Sequence, residues 1–318
     1  MEANDQTVYD YAIVGAGCFG ASTACDLQRR RPRAKVILFD DATTKSASRD
    51  ETKIVRSPYV DPEYVELATE AQKRWKDEAL YQKCYHPTRW IQTIQPESHE
   101  ISLKLDTDES ITPERFVAMV GSKSQPRLGP DEGLWINKDV GMVDAALALG
   151  AVIQEASRLG VVVVRTPISQ LLMEDDGRLC AGVITIAGHT VRARRTIVAA
   201  GPWTPSLLHR SGVGERVPGH QGKPFFTVVG VGVATLHLLD DEYHRFKSMP
   251  ILVTENGEVM PPGARETSLK ITSTDTFEIP HPDLASQVPI ECIQRNREVL
   301  GKMIPELKDR QLEFWVCP

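Results

Sequence analysis

Three glycines in the spacing Gly15-x-Gly17-x-x-Gly20 follow the apolar run YAIV, and Asp40 stands at the tip of the next apolar run, VILF. Each residue type has a task in holding a diphosphate. Gly15 makes a tight strand-to-helix turn, Gly17 lets the backbone approach a pyrophosphate, and Gly20 lets the helix pack closely on the strand. The unpaired amides at the start of that helix then face the anion. Asp40 is placed to accept hydrogen bonds from a ribose hydroxyl, and an acid there repels the additional phosphate of NADP. The chemistry implied is dinucleotide binding, with FAD and NAD both open.

These residues need a scaffold, and the composition provides for one. The chain has 318 residues, 41% hydrophobic and 25% charged, enough for two soluble globular domains. A formal charge of -6 argues against a nucleic-acid partner. The basic cluster from Arg29 to Arg33, with Lys35, falls at the end of the first expected helix, where it complements the dipole and stays solvated. The opening MEANDQTVYD has neither the basic nor the apolar region of a secretory signal, which predicts an intracellular protein. No apolar run reaches the ~20 residues needed to cross a bilayer, so no membrane span is expected. Cys18, Cys25, Cys84, Cys180, Cys292 and Cys317 lack CxxC spacing, and His99, His220, His237, His244 and His281 lack metal-ligand spacing. Reduced thiols and no metal follow.

After the strand-helix-strand opening, Asp61-Pro62 reads as an N-cap with proline in the first turn. The helix it starts runs to about residue 80, with Tyr64, Leu67, Ala68, Ala71 and Trp75 as its buried face. Residues 86–140 are rich in proline, glycine and charge, with short strands expected at 90–94 and 101–105. A helix over 143–159 leads into VVVV at 161–164, the pattern of a buried parallel strand. Segments 171–173, 180–186 and 190–194 suggest an antiparallel meander turning at Asp175-Asp176-Gly177. A second buried strand over 196–200 closes at Gly201-Pro202. From Pro218 the texture changes to alternating strands at 225–233, 251–253 and 269–272. The fold class is α/β: a discontinuous Rossmann-like dinucleotide domain over 1–85 and 140–214, and an α+β substrate domain on an antiparallel sheet over 86–139 and 215–318.

Three stretches together, YAIVGAGCFGASTACDL with VILFD, SASRDETKIVR and TIVAAGPWTPSLL, resemble the D-amino-acid-oxidase-like flavoproteins. Within them the chain resembles the branch of monomeric sarcosine oxidase, pipecolate or saccharopine oxidases and fungal fructosyl amino acid oxidases, with ETSLKI as a weaker fourth match. The resemblance implies FAD rather than NAD. It places Arg49, Thr52, Lys53 and Arg56 beside the flavin or substrate, and Ile168, Gly201 and Trp203 among the cofactor contacts. Lys270 matches a lysine over the flavin that assists its reaction with O2. Cys317 falls near a cysteine that bonds covalently to the flavin. A cation at Lys53 stabilises negative charge on a reduced ring, and the forked donor of Arg56 fits a substrate carboxylate. The bland alternatives are a solvated basic loop and an exposed strand lysine at 270, which alternation puts on the side of its strand opposite Leu269 and Ile271.

The activity implied is hydride transfer from the C–N carbon of a secondary or N-substituted amino acid, with O2 yielding peroxide, by a monomer in cytoplasm or peroxisome. Val316-Cys317-Pro318 is not a peroxisomal tripeptide. Family members continue past the cysteine into a last strand and a glycine-rich loop, so weak FAD binding is also expected. Val259, Met260 and Thr274 replace family pocket residues. A truncated or inactive relative, a secondary-metabolite flavin oxidoreductase and an NAD-linked dehydrogenase are the alternatives.

Overall fold

The two apolar runs flanking the glycine turn pair side by side. In the computed structural model, which describes residues 7–41, 46–50, 52–57, 59–94, 109–174, 177–213, 225–264, 266–284 and 287–318, β1 (Tyr11–Val14) lies parallel to β2 (Val36–Asp40). β11 (Thr196–Val198) joins the other edge of β1, and β7 (Val162–Arg165) joins β2, giving a four-stranded parallel sheet in the order β11-β1-β2-β7. Helices α1 (Cys18–Arg30) and α5 (Ala145–Arg158) cover one face, where Ala21, Ala24 and Cys25 meet Leu149, Val152 and Ala156. Small residues on α1 allow this close approach. The other face carries an antiparallel sheet of β8 (Ile168–Met173), β9 (Cys180–Thr185) and β10 (Thr190–Arg192), together with α6 (Thr204–Arg210). The meander is as expected, while Asp175 and Asp176 of its turn lie outside the described residues.

Two expectations about this sheet are corrected. The runs at 161–164 and 196–200 were expected to be buried strands, yet Val162 is 44% exposed and all of β11 is half-buried. Each has a strand neighbour on one side only among the described residues, so its apolar composition is not matched by full burial.

A nine-stranded sheet forms the rest. Its order is β16 (Glu313–Cys317), β12 (Val229–His237), β15 (Ser268–Glu278), β14 (Gly257–Met260), β13 (Ile251–Thr254), β4 (Tyr85–Ile94), β6 (Gly133–Val143) and β3 (Lys53–Arg56), with β5 (Glu109–Ile111) pairing β6. Its pairings are antiparallel except β13 with β4. One face is covered by α4 (Pro113–Val120), α7 (Asp240–Phe246) and α8 (Ile290–Met303), whose Phe116, Phe246, Val299 and Leu300 pack on Ile91, Ile136, Leu252, Val259, Leu269 and Ile271. Each such fully buried side chain contributes about 1.5–3 kcal/mol of transfer free energy. Side chains alternate along a strand. That core therefore turns the intervening residues Trp90, Gln92, Val253, Glu258, Met260, Lys270 and Thr272 to the opposite face. β12 carries the pattern on to β16, where Phe314 packs towards the core and Trp315 and Cys317 share the opposite face.

Helix α2 (Pro62–Asp77) starts as expected, with Asp61 Oδ1 accepting from the Glu63 amide at 2.8 Å, and α3 (Ala79–Gln82) follows. Its buried face is not the expected one. Tyr64 and Leu67 are 59% and 62% exposed, Ala71 is exposed, and the helix instead buries Gln72, with Val65, Ala68 and Trp75 partly covered. Gln72 donates to the Asp139 carbonyl at 2.8 Å, so a polar side chain with a backbone acceptor sets the rotation. The strand expected from 225 begins at Val229, after an exposed Phe225–Phe226 pair. The segment 101–105, Pro218, His99 and His220 lie outside the described residues. No helix among the described residues is long and apolar enough to cross a membrane.

The glycine turn makes a stability contrast. A Cβ on Gly20 would stand 1.8 Å from the Gly15 carbonyl oxygen, whereas one on Gly150, in the middle of α5, would meet nothing within 4 Å. Gly20→Ala is expected to lower unfolding free energy by about 2 kcal/mol or more. Gly150→Ala should raise it by about 0.5–1 kcal/mol. Urea midpoints of the two variants check both signs.

Candidate functional site

At the end of β1 the chain turns through Gly15, whose φ of +99° and position 2.3 Å (for an added Cβ) from the Ala199 carbonyl oxygen admit only glycine. Helix α1 then begins at Cys18 with no side-chain cap from its own N-cap residue, Gly17. A Cβ on Gly17 would point at Ser48 Oγ, 3.3 Å away, and Ser48 Oγ itself accepts from the Cys18 amide at 3.0 Å. A bare backbone turn before a helix whose first amide is held by Ser48 Oγ leaves the remaining amides of that first turn to fit a pyrophosphate. Asp40, at the tip of β2, is paired with the Arg49 guanidinium. A cavity of 480 Å³ opens beside the pair, lined also by Gly150, Gln154, Ser157 and Arg165. The structure thus brings Gly15, Gly17, Gly20, Asp40 and Arg49 to one end of the parallel sheet. Ile168, at the start of β8, packs against the apolar cluster that includes Ile37, Phe39, Leu171 and Val183 instead. Gly201 has φ of +54° with open space around it, and the Trp203 indole donates to Asp283 Oδ1 at 2.9 Å.

The second cluster lies where the loop after β2 crosses the large sheet. Lys270 is 9% exposed, so the reading of an exposed strand lysine fails: the face opposite Leu269 and Ile271 is itself covered. Its ammonium is ion-paired with Asp50 Oδ2 and donates to the Thr52 carbonyl at 3.1 Å. Lys53 Nζ reaches the same Asp50 oxygen at 2.9 Å, and the Thr52 hydroxyl donates to Met260 Sδ at 3.9 Å. Burial works against the Asp50 carboxylate, but the charge and hydrogen bonds of Lys270 and Lys53 outweigh it and hold the group below its usual range. Burial pulls the Lys270 ammonium down, with Asp50 opposing. The half-buried Cys317 thiol is raised by burial and lies close enough to feel Lys53, Asp50 and Lys270. Thr52, Lys53, Lys270 and Cys317 therefore share one neighbourhood.

Arg56, at the end of β3, stacks its guanidinium over Tyr59 at 4.6 Å and towards Trp90 at 5.5 Å. No carboxylate lies within ion-pair distance of it among the described residues. Stacking fixes the fork and leaves its donors for a ligand carboxylate. On the same face Trp90 Nε1, Gln92 Nε2 and Thr272 Oγ1 are buried without a partner. Orphaned polar atoms facing a common surface mark a place for a ligand or water.

Asp50, Glu258, Gln92 and Thr272 were not singled out in the sequence. Glu258 carried a usable signal, an acid between glycine and two apolar residues in a strand, while Asp50 sits in a polar loop that gives none. A larger depression of 580 Å³ by Glu132, Arg297 and Lys302 lies against α8, on the covered side of the sheet. Its Lys302 and Glu132 pair with each other at 2.6 Å, so we set it aside.

The profile of the FAD dependent oxidoreductase family matches residues 10–318, and the chain belongs to that family. FAD is its cofactor, and the nicotinamide alternative falls. L-saccharopine oxidase of Schizosaccharomyces pombe is 25% identical over 94% of this chain and 77% of its own length. The amino acid oxidase fsqB of Aspergillus fumigatus is 26% identical over 62% of this chain and 49% of its own length. The structure of a fructosamine oxidase (Amadoriase II) from A. fumigatus superposes with a TM-score of 0.76 at 22% identity, over 98% of this chain and 76% of that one, a likeness of fold.

The Asp50 pairing has a pH signature. A carboxyl whose folded pKa lies below its unfolded value, about 3.9, binds more protons unfolded. Its contribution is complete above that value and is lost as pH falls through the lower folded one. Lys270→Met removes the largest attractive partner, so the variant should lose less stability than wild type between about pH 6 and about pH 3. Melting temperatures across that range test this; parallel curves would show that Lys270 does not hold the carboxylate down.

Proposed function

We propose that the chain is an FAD-dependent oxidase of secondary or N-substituted amino acids, with O2 as its second substrate. The observation that carries this is the buried Lys270–Asp50 pair, joined at the same carboxylate oxygen by the half-exposed Lys53, beside Cys317 and on the face that also holds Arg56. We infer the division of labour from the same arrangement. Segments 1–85 and 140–214 hold the nucleotide, and 86–139 with 215–318 hold the substrate, β3 bringing the cofactor loop into the substrate sheet.

Bound FAD supplies a two-electron acceptor for the hydrogen on the carbon next to nitrogen, and O2 removes those electrons as peroxide. The glycine cradle and the start of α1 would hold the diphosphate, and Asp40 would accept a hydrogen bond from a ribose hydroxyl. Arg56, braced by two aromatic rings, grips the substrate carboxylate and fixes the reacting carbon. Lys270 holds positive charge at a buried place, where Coulomb interactions are little screened, and the more exposed Lys53 adds a second cation beside it. Asp50 opposes the loss of the Lys270 proton that burial favours. Cys317 stands near enough to these lysines to serve as the point of covalent attachment.

A second reading is a folded relative that turns nothing over. It draws on the Asp40–Arg49 and Cys18–Ser48 contacts, which satisfy cofactor-facing groups within the chain.

Purified protein given FAD should absorb near about 450 nm, bleach anaerobically with L-pipecolate or N-methylglycine, and recover in air with one peroxide per turnover. Protein that takes up no FAD overturns the oxidase reading. Lys270→Met should slow reoxidation by about 10²-fold, more than it slows reduction. After acid precipitation, colour should stay with the wild-type pellet and leave it in Cys317→Ser; colour in the wild-type supernatant removes the covalent link.

A further inference from the structure

Glu258 is an acid without a partner among the described residues, on a face rich in cations. It sits on β14, opposite Thr272 of β15 and Val253 of β13, on the side of the sheet away from Val259. The charged groups near enough to act on it are Lys270 on β15, Arg56 and Lys53 on β3, and Asp50 in the loop before β3; β13 presents only Val253 towards it. Its carboxyl makes no hydrogen bond and no ion pair with any described residue. It is half-buried by surface exposure, yet desolvation is the largest influence on it and raises its affinity for a proton, with the three cations opposing. Both facts describe a group closely surrounded by protein atoms that solvent still reaches.

This geometry deepens the amine-oxidase reading and rests on it. A free amino acid is a zwitterion, and an amine carrying its proton has no lone pair to assist loss of hydride from the adjacent carbon. Arg56 answers the carboxylate but repels the ammonium. We propose that Glu258 receives the substrate ammonium and takes its proton: the N–H bond breaks, the proton passes to a carboxylate oxygen, and the lone pair stays on nitrogen. The substrate class this selects is an α-amino acid with a protonatable nitrogen, held by its carboxylate at Arg56 and by its nitrogen at Glu258. Gln92, Trp90 and Thr272, whose buried polar atoms lack partners, lie on the same face for the remainder of the molecule.

The test uses the FAD-loaded protein and two ligands of one shape, N-methylglycine and methoxyacetate, in which oxygen replaces the amine. In wild type the Kd for N-methylglycine should level off above the pKa of Glu258, because the proton that moves on binding stays in the site. In Glu258→Gln it must go to solvent, so Kd should keep falling about tenfold per pH unit up to the amine's own pKa. Calorimetry in two buffers of different ionisation enthalpy should read close to no proton released by wild type above that pKa and close to one by the variant. Methoxyacetate should bind Glu258→Gln as tightly as wild type or tighter, which shows the site intact. Identical pH profiles in wild type and variant overturn the assignment and leave the oxidase reading standing. A flavin-loaded wild type that binds methoxyacetate but not N-methylglycine overturns both.

Discussion

The ion pair between Lys270 and Asp50 ties the two halves of the molecule together. One partner is on β15, in the middle of the large sheet, and the other is in the loop that leaves the nucleotide-binding strands. Burying both charges costs several kcal/mol each before their attraction offsets it, so such a pair is weak evidence of stability in itself. Its worth lies in position. Losing either partner strands the other in a poorly solvated place, and that penalty holds the loop carrying Arg49, Thr52 and Lys53 against the sheet carrying Met260 and Cys317. Lys53 adds a second hold on the same oxygen at 2.9 Å. The glycine cradle and the concave face are thereby fixed in one register.

What this register requires differs at the two ends. At the nucleotide end it is steric: backbone atoms of Ala199 and Gly15 occupy the space that side chains at Gly15 and Gly20 would need. Only bare backbone can come so close. At the other end it is electrostatic, because alternation along β14 and β15 turns Glu258, Lys270 and Thr272 away from a core of Val259, Leu269 and Ile271. The apolar residues anchor the strand while the polar ones are held out on the opposite face with little freedom to leave it.

That difference decides what was legible in the sequence. Glycine spacing and the strand-helix-strand opening are local, and α1, β2 and the meander all came out near their expected places. The face of α2 did not, because Gln72 is buried by a hydrogen bond to the Asp139 carbonyl, a contact 67 residues away in sequence. The exposure of β7 and β11 was equally hidden, since VVVV reads the same at an edge as at the centre of a sheet. Lys270 was legible as a residue on the non-core side of its strand; its burial was not, because the loop that covers it arrives from 220 residues earlier in the chain. Asp50 had no local mark at all. Its importance comes from two lysines meeting at one oxygen.

The charges that converge here set what the site tolerates. Lys53, Lys270 and Arg56 supply three positive charges against Asp50 and Glu258, so the cluster is cationic by one when Glu258 is ionised and by two when it is protonated. A zwitterionic guest that hands its proton to Glu258 arrives neutral and becomes an anion held by Arg56. The protein around it gains the positive charge that the guest has lost, and the pair is then complementary. The same surplus favours negative charge accumulating on a ring system beside Lys53 and Lys270 during turnover. On the proposed assignment proton and electrons leave the guest in different directions, the proton to Glu258, which has no ion pair among the described residues, and the electrons towards the lysines. An acid locked in an ion pair, as Asp50 is, could not accept that proton without losing the contact that holds the loop in place.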